Sequence, residues 1–370
     1  MNVEGTSILD QTKIFLKRKF SEYYLHNELE LPPEFEKREV AFVPLESLPV
    51  FMMYRHLSFA PQELKSYITD QVPANIYYSS AYYENPRAEK MEDKGWQGAD
   101  LIFDIDADHL PIKDTSLQTS LKAAKKEITA LADVVVSDLG LDKKHVKIVF
   151  SGGRGYHLHV YDPRFKKLDS SERREIIDYL MLNDINFDFR IPKSSQGERI
   201  RQCMKELSSY LLEEDRLEKL LKRYRLKDKK KEIITILSTG NFEKLAKSKE
   251  KRGLFQSLFD KCVSTVGLNF DAPVTADIKR LIRLPNSLHG KTGFRAMPVN
   301  YNNLNDFDPL RDSTPFGDHE VKVRVRKIRK DDLSWAYNEL GGYPSPGDRI
   351  KVPEYVAVFM FCRGMALYGH

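Results

Sequence analysis

In the stretch Leu101-Ile102-Phe103-Asp104-Ile105-Asp106-Ala107-Asp108, two carboxylates are set into an otherwise apolar segment. Leu101, Phe103 and Ile105 alternate with Ile102, Asp104 and Asp106, which is the two-residue period of a strand. Side chains at i and i+2 leave a strand on the same face, so Asp104 and Asp106 project side by side. Adjacent carboxylates repel unless a positive charge stands between them, and hard Mg²⁺ or Mn²⁺ takes carboxylate oxygens. The segment is therefore either an edge strand with a solvated acidic face or one wall of a metal site. The remaining chain bears on that choice.

At 370 residues the chain has room for one large or two ordinary domains. Its 41% hydrophobic and 31% charged residues describe a globular protein with a heavily charged surface. A net charge of +5 is mild, so any nucleic-acid footprint must come from local clustering. Cys203, Cys262 and Cys362 are far apart and form no Cys-x-x-Cys pair, which excludes a disulfide framework and a compact zinc finger. With no signal-like N-terminus and no apolar run long enough to span a bilayer, a cytoplasmic location with no membrane association is expected.

The pattern along the chain predicts a helix over Ile8 to Tyr24, strands at Arg38–Phe42, Phe51–Arg55 and Asn75–Ser79, and a short helix within Ser58 to Tyr67. Glu84 to Gln97 reads as a loop. Thr115 to Leu139 is the clearest helix, with Leu117, Leu121, Ala124, Ile128, Leu131, Val135 and Leu139 at spacings of three and four, Thr115 as N-cap and Gly140 as C-cap. Strands follow at Lys147–Phe150 and Tyr156–Tyr161. The sequence of strand, helix, strand, Gly-rich turn and strand predicts an α/β (α+β) core of mixed sheet and flanking helices. Ser170 to about Asp260 turns helical and strongly charged, and reads as a basic helical insertion over 169–261 in a core made of 1–168 and 262–370. Its Lys/Arg-rich stretch, Lys219 to Lys231, serves either as a solvated face or as a contact for nucleic-acid backbone. His319 to Arg329 reads as a strand with one cationic face, and Pro353 to Ala366 as a buried helix.

Two further constellations carry chemistry. In Ser151-Gly152-Gly153-Arg154-Gly155-Tyr156-His157 the glycines let backbone N–H groups approach a phosphate, and Arg154 offers a charged fork. The bland reading is a hairpin turn with an exposed Arg and a packed His. In the second, Arg280, Arg283, His289 and Lys291 concentrate positive charge around Leu284-Pro285-Asn286-Ser287-Leu288, with Ser287 and Thr292 as extra donors. That cluster suits a triphosphate, unless its arginines simply pair with Asp277 and its neighbours. Carboxylates for metal, a Gly/Arg/His turn and a cationic loop together suit nucleotidyl transfer.

These motifs, in this order, resemble the catalytic small subunit of the archaeal–eukaryotic DNA primases. The resemblance rests on Asp104-Ile-Asp106, Ser151 to His157, Leu281 to Gly293 and Val352-Pro-Glu-Tyr-Val-Ala-Val, and so spans nearly the whole chain. It implies that Asp104, Asp106 and Asp271 are the catalytic, metal-binding acids. Asp277 is a rival by composition, but the spacing to His289 favours Asp271. It further implies nucleotide-binding roles for Ser151, Arg154, His157, Arg283 and His289, and places Glu39, Tyr54 and Arg55 near the primer-side site. Lys291 joins the nucleotide-binding set from its charge and position. The implied activity is synthesis of short RNA, and possibly DNA, primers on single-stranded DNA from nucleoside triphosphates, with Mg²⁺ or Mn²⁺. The implied partner is a large regulatory subunit carrying an iron–sulfur cluster, which three scattered cysteines here could not hold.

One departure stands out. Family members usually carry a Cys/His zinc module soon after the second catalytic Asp, whereas 107–202 contains no cysteine and His109 alone cannot make a zinc site. No structural zinc is expected. The alternatives are a related stand-alone repair or translesion polymerase, a two-metal nuclease, or a non-catalytic nucleic-acid-binding subunit.

Overall fold

The computed structural model of the chain describes residues 8–48, 52–183, 185, 190–213 and 216–369. In chain order its elements are α1 (Ile8–His26), β1 (Val40–Pro44), β2 (Tyr54–Leu57), α2 (Pro61–Gln71), β3 (Pro73–Ser79), β4 (Ala81–Tyr83), β5 (Trp96–Ala99), β6 (Leu101–Asp106), α3 (Leu117–Asp138), β7 (Val146–Phe150) and β8 (Gly155–Val160). Helices α4 (Ser170–Met181), α5 (Ser195–Leu212), α6 (Arg216–Arg223), α7 (Lys230–Thr239), α8 (Glu243–Lys247), α9 (Arg252–Val266) and α10 (Ala272–Ala276) follow. The chain ends with β9 (Leu281–Arg283), β10 (Pro298–Val299), α11 (Pro309–Asp312), β11 (Glu320–Val325), α12 (Lys330–Leu333), β12 (Arg349–Pro353), α13 (Glu354–Cys362) and β13 (Ala366–Tyr368).

The fold is α+β. One four-stranded sheet has the order β2-β1-β3-β9 and a second the order β10-β7-β8-β6. Every pairing among the described strands is antiparallel. β6 and β7 nonetheless run the same way, because β8 lies between them and opposes both. Helix α3 makes the crossover from β6 to β7, and its apolar stripe packs on the sheet with Leu121, Ile128, Leu131 and Val135 at 3% exposure or less. Burying each of these side chains contributes about 1.5–3 kcal/mol before the cost of ordering is counted. The N-cap of α3 is Ser116, whose Oγ accepts from Thr119 N, rather than the expected Thr115.

Several boundaries differ from the sequence reading. Helix α2 starts at Pro61, where the fixed ring angle suits a first turn, and runs past Tyr67 to Gln71. The expected strand at Phe51–Arg55 begins outside the described residues at Phe51, and the observed strand is Tyr54–Leu57. The supposed loop before the acidic strand contains a one-turn helix at Met91–Lys94 and the start of β5, which forms a hairpin with β4. The last helix stops at Cys362 instead of reaching Ala366. Gly364 has φ +63° there, and β13 then joins β11 and β12 in a three-stranded sheet.

The chain divides into two compact units, 1–174 with 270–370, and 175–269. The second is helical, with a core of its own that includes Ile200, Met204, Ile233, Phe255, Phe259 and Cys262. Its limits fall six to eight residues later than the sequence pattern placed them. Among the described residues no helix is long and apolar enough to cross a membrane.

Candidate active site

The antiparallel register of β6 on β8 builds the site. It sets Asp104 opposite His157 and Asp106 opposite Gly155. His157 Nε2 then lies 3.6 Å from Asp104 Oδ1. Residue 155 must be glycine, since a Cβ there would sit 2.0 Å from the Ile105 carbonyl oxygen. The turn leading into β8 folds over with Gly152 at φ +76°, and Ser151 Oγ accepts from Gly153 N at 3.2 Å.

A second turn, 288–295, docks on this one. Thr292 Oγ1 donates to the Gly152 carbonyl at 2.6 Å and accepts from Phe294 N. This brings His289 against Gly152 and Gly153. His289 Nδ1 accepts from the Lys291 amide at 3.2 Å, so the neutral ring carries its proton on Nε2, the nitrogen beside Gly153. Burial and the cations Arg283, Arg363 and Lys291 hold the His289 pKa well below the usual range. Burial likewise lowers His157 to about 3, with Arg283 and Arg280 adding to the effect. Both imidazoles are neutral donors or acceptors at physiological pH.

Arg283, on β9, is placed by β3. Its register partner is Tyr77, over whose ring the guanidinium sits at 5.0 Å. Arg283 also donates to Asn75 Oδ1 and, at 3.3 Å, to Tyr77 Oη. Asn75 Oδ1 additionally accepts from Gly290 N at 3.1 Å, so one buried amide fixes an arginine and the second turn together. Asn75 escaped the sequence reading because its neighbours come from strand register, which no local motif signals.

Arg283, Tyr77, His289 and the Ser151–His157 turn contribute to the lining of one cavity of about 330 Å³, with Asn75 behind them. Asp104, Asp106 and Asp108 share its lining with Ser151, Arg154, His157, Arg280, Arg283, His289, Lys291 and Arg363. Asp108, beyond the end of the strand, pairs with Arg154 Nη2 at 2.7 Å. Asp271 does not line the cavity but adjoins its acidic wall. Its backbone N–H donates to the Asp104 carbonyl at 2.7 Å, and its carboxylate caps α10 through Val274 N. Burial, then the charges of Asp106 and Asp271, raise the Asp104 pKa to about 7. Asp277 is exposed and caps the Lys279 amide instead.

Arg55 is not brought into this cavity. It donates to Glu39 Oε1 at 2.9 Å, beside Lys94, while Tyr54 is half-exposed and stacks on Phe42. Among the described residues, no three His, Cys, Asp or Glu side chains already stand together as a metal-ligand set. The mutual repulsion at Asp104, Asp106 and Asp271 and their hard oxygen donors nevertheless suit a hard divalent cation such as Mg²⁺ or Mn²⁺.

The family profile for the DNA primase small subunit matches residues 103–301, from the acidic strand to just past the second turn. The DNA primase small subunit PriS of Archaeoglobus fulgidus is 49% identical over 362 residues, which cover 96% of this chain and 99% of that one. The chain belongs to the DNA primase small subunit family. Other members are more distant but equally collinear. PriS of Methanococcoides burtonii is 37% identical, covering 97% of this chain and 99% of its own, and PriS of Methanospirillum hungatei is 37% identical, covering 97% of each. The polymerase domain of Mycobacterium tuberculosis ligase D in complex with DNA superposes over 78% of this primase-family chain and 83% of that one, with 13% identity and a TM-score of 0.35, too remote to carry an inference.

Proposed function

We propose that the chain is the catalytic subunit of a DNA primase, joining nucleoside triphosphates into short primers on a single-stranded DNA template and releasing pyrophosphate. The observation that carries this reading is one cavity lined by Asp104 and Asp106, by the Gly-rich turn that the β6–β8 register sets beside them, and by four further cationic side chains. That polarity suits a substrate whose reacting end needs metal and whose other end is a polyphosphate.

Asp104 and Asp106, with Asp271 alongside, are the residues that would hold Mg²⁺ or Mn²⁺, which when bound activates the attacking 3′-hydroxyl and neutralises charge on the leaving pyrophosphate. Arg283, braced by Asn75 and Tyr77, offers a pre-set fork to phosphate oxygens. His289 donates from Nε2 without adding charge, and Lys291 adds a mobile cation at the exposed rim. Ser151 and the amides around Gly153 approach the same phosphates, and Arg154 joins them on leaving Asp108. His157, neutral, orients Asp104. With the groups held by two sheets, the chain's contribution is positioning and charge stabilisation.

The partner in this proposal is a large regulatory subunit that carries the iron–sulfur cluster, and the pair works in the cytoplasm. Structural zinc has no place in it, since Cys203 and Cys262 lie in the helical unit and Cys362 ends α13. Stoichiometric, tightly held zinc in the purified chain would overturn that part.

Primer synthesis on single-stranded DNA with labelled nucleotides tests the rest. Asp104→Asn, Asp106→Asn and Asp271→Asn should each lose at least ~100-fold in rate, the scale of removing a group that stabilises transition-state charge. Asp277→Asn should keep wild-type activity. Undiminished synthesis by Asp104→Asn or Asp106→Asn rejects the mechanism.

A further inference from the structure

A second cavity, of about 860 Å³, adjoins the first. It lies between α1, the segment after β1, the turn at Gly290–Lys291, the segment after β11, and the end of α13 with β13. Its floor is aliphatic and aromatic: Ile14, Leu45, Leu48, Phe361 and Leu367. Ile14 is 60% exposed on α1, an apolar side chain without cover. The rim is cationic, formed by Lys13, Arg326, Lys327 and Arg329, while Lys291 and Arg363 face both cavities. The acid on this rim, Glu46, is already paired with Lys17. Among the described residues Lys13, Lys291, Arg326 and Lys327 form no ion pair, whereas Arg329 and Arg363 share Asp332, at 3.8 and 3.3 Å, with the buried Nε of Arg363 left without an acceptor.

An apolar floor with a few convergent charged groups, in this size range, is the signature of a small-molecule site rather than of bare surface. Unpaired cations concentrated on one rim call for a polyanion. The two shared side chains place that polyanion next to the position where the first cavity would hold a triphosphate. We infer that the second cavity is a nucleoside-triphosphate site of its own, with the base on the Ile14–Leu45–Phe361 floor and the phosphates on Arg326, Lys327 and Lys13. The proposal rests on the polyphosphate reading of the first cavity. Two polyanions then compete for Lys291 and Arg363, so each occupant weakens the other and high nucleotide concentrations inhibit synthesis.

Calorimetric titration of the full chain with the α,β-methylene analogue of ATP in Mg²⁺ reads the stoichiometry directly. Two analogues should bind per chain. Arg326→Glu/Lys327→Glu, both exposed and outside the first cavity, should weaken one site at least ~10-fold, free the other from its competition and remove the inhibition at high nucleotide. Inorganic tripolyphosphate, lacking a base, should bind the second site at least ~10-fold more weakly than the analogue. One analogue per wild-type chain, kept by Arg326→Glu/Lys327→Glu and lost in His289→Ala, overturns the proposal and leaves the groove to an acidic protein segment. Indifference to the double substitution, or equal binding of tripolyphosphate, also overturns it. If His289→Ala loses no binding while Arg326→Glu/Lys327→Glu loses all of it, the polyphosphate reading of the first cavity fails and the second site stands.

Discussion

Burial raises the Asp104 pKa to about 7, and the charges of Asp106 and Asp271 add to the effect. Without metal, the folded chain therefore keeps a proton here between pH 4 and 7 that the unfolded chain has released. An acid shifted upward favours the fold at low pH, and this contribution is lost as pH rises through the folded value. The loss is at most on the order of 4 kcal/mol. Asp104→Asn should accordingly raise the melting temperature of the metal-free protein at pH 8 and leave it nearly unchanged at pH 4. Equal shifts at both pH values would show that the carboxylate is not strained. His157, held near 3, stays neutral in the folded chain across this window while the unfolded chain protonates it, so its contribution runs the opposite way, weakening the fold as pH falls. Asp108 acts differently, because its partner is Arg154, for which we propose a phosphate-binding role. Asp108→Asn should lower KM for nucleotide up to about fivefold, the ceiling for a partly exposed pair, with kcat unchanged. A raised KM would show that Asp108 helps to hold substrate.

Strand pairing does at the level of elements what motifs cannot. Asn75 and Arg283 meet because β9 adds to β3 in the register Tyr77↔Arg283. Asn75→Ala should raise KM for nucleotide about 10-fold with little change in kcat, and cost about 1–3 kcal/mol of stability from the unpaired groups left behind. A pure stability loss with KM unchanged would reduce Asn75 to a structural brace. The same distinction explains what was legible in the sequence. Helix α3 announced itself because seven apolar residues keep a 3.6 period, and β6 because its two acids interrupt an apolar run. The β4–β5 hairpin did not, since three- and four-residue strands joined through a polar, Pro- and Gly-containing segment give too few alternations. The cavity's acids and the Ser151–His157 turn were visible as motifs. Asn75, Arg363 and the true partner of Asp108 were invisible, because each depends on chain brought from elsewhere.

Across the whole molecule, 175–269 encloses its own apolar core between Arg174 and Phe270, both of which belong to the other unit. Expressed alone, 175–269 should be helical by circular dichroism and unfold cooperatively, and the full chain should show two calorimetric transitions. A single transition with an unfolded fragment would make the two units one folding body. Such an excursion also has consequences in time. The Asp271 amide that donates to the Asp104 carbonyl leaves the ribosome after every residue of 175–269. At translation speeds of about 5–20 residues per second, Asp104 and Asp106 precede Asp271, their proposed third acid, by roughly 10–30 seconds. A chain stalled within the helical unit thus holds the acidic strand and the Gly-rich turn but not Asp271, Arg283 or His289. On the proposed assignment the nascent chain is therefore inert until the residues beyond the helical unit are made.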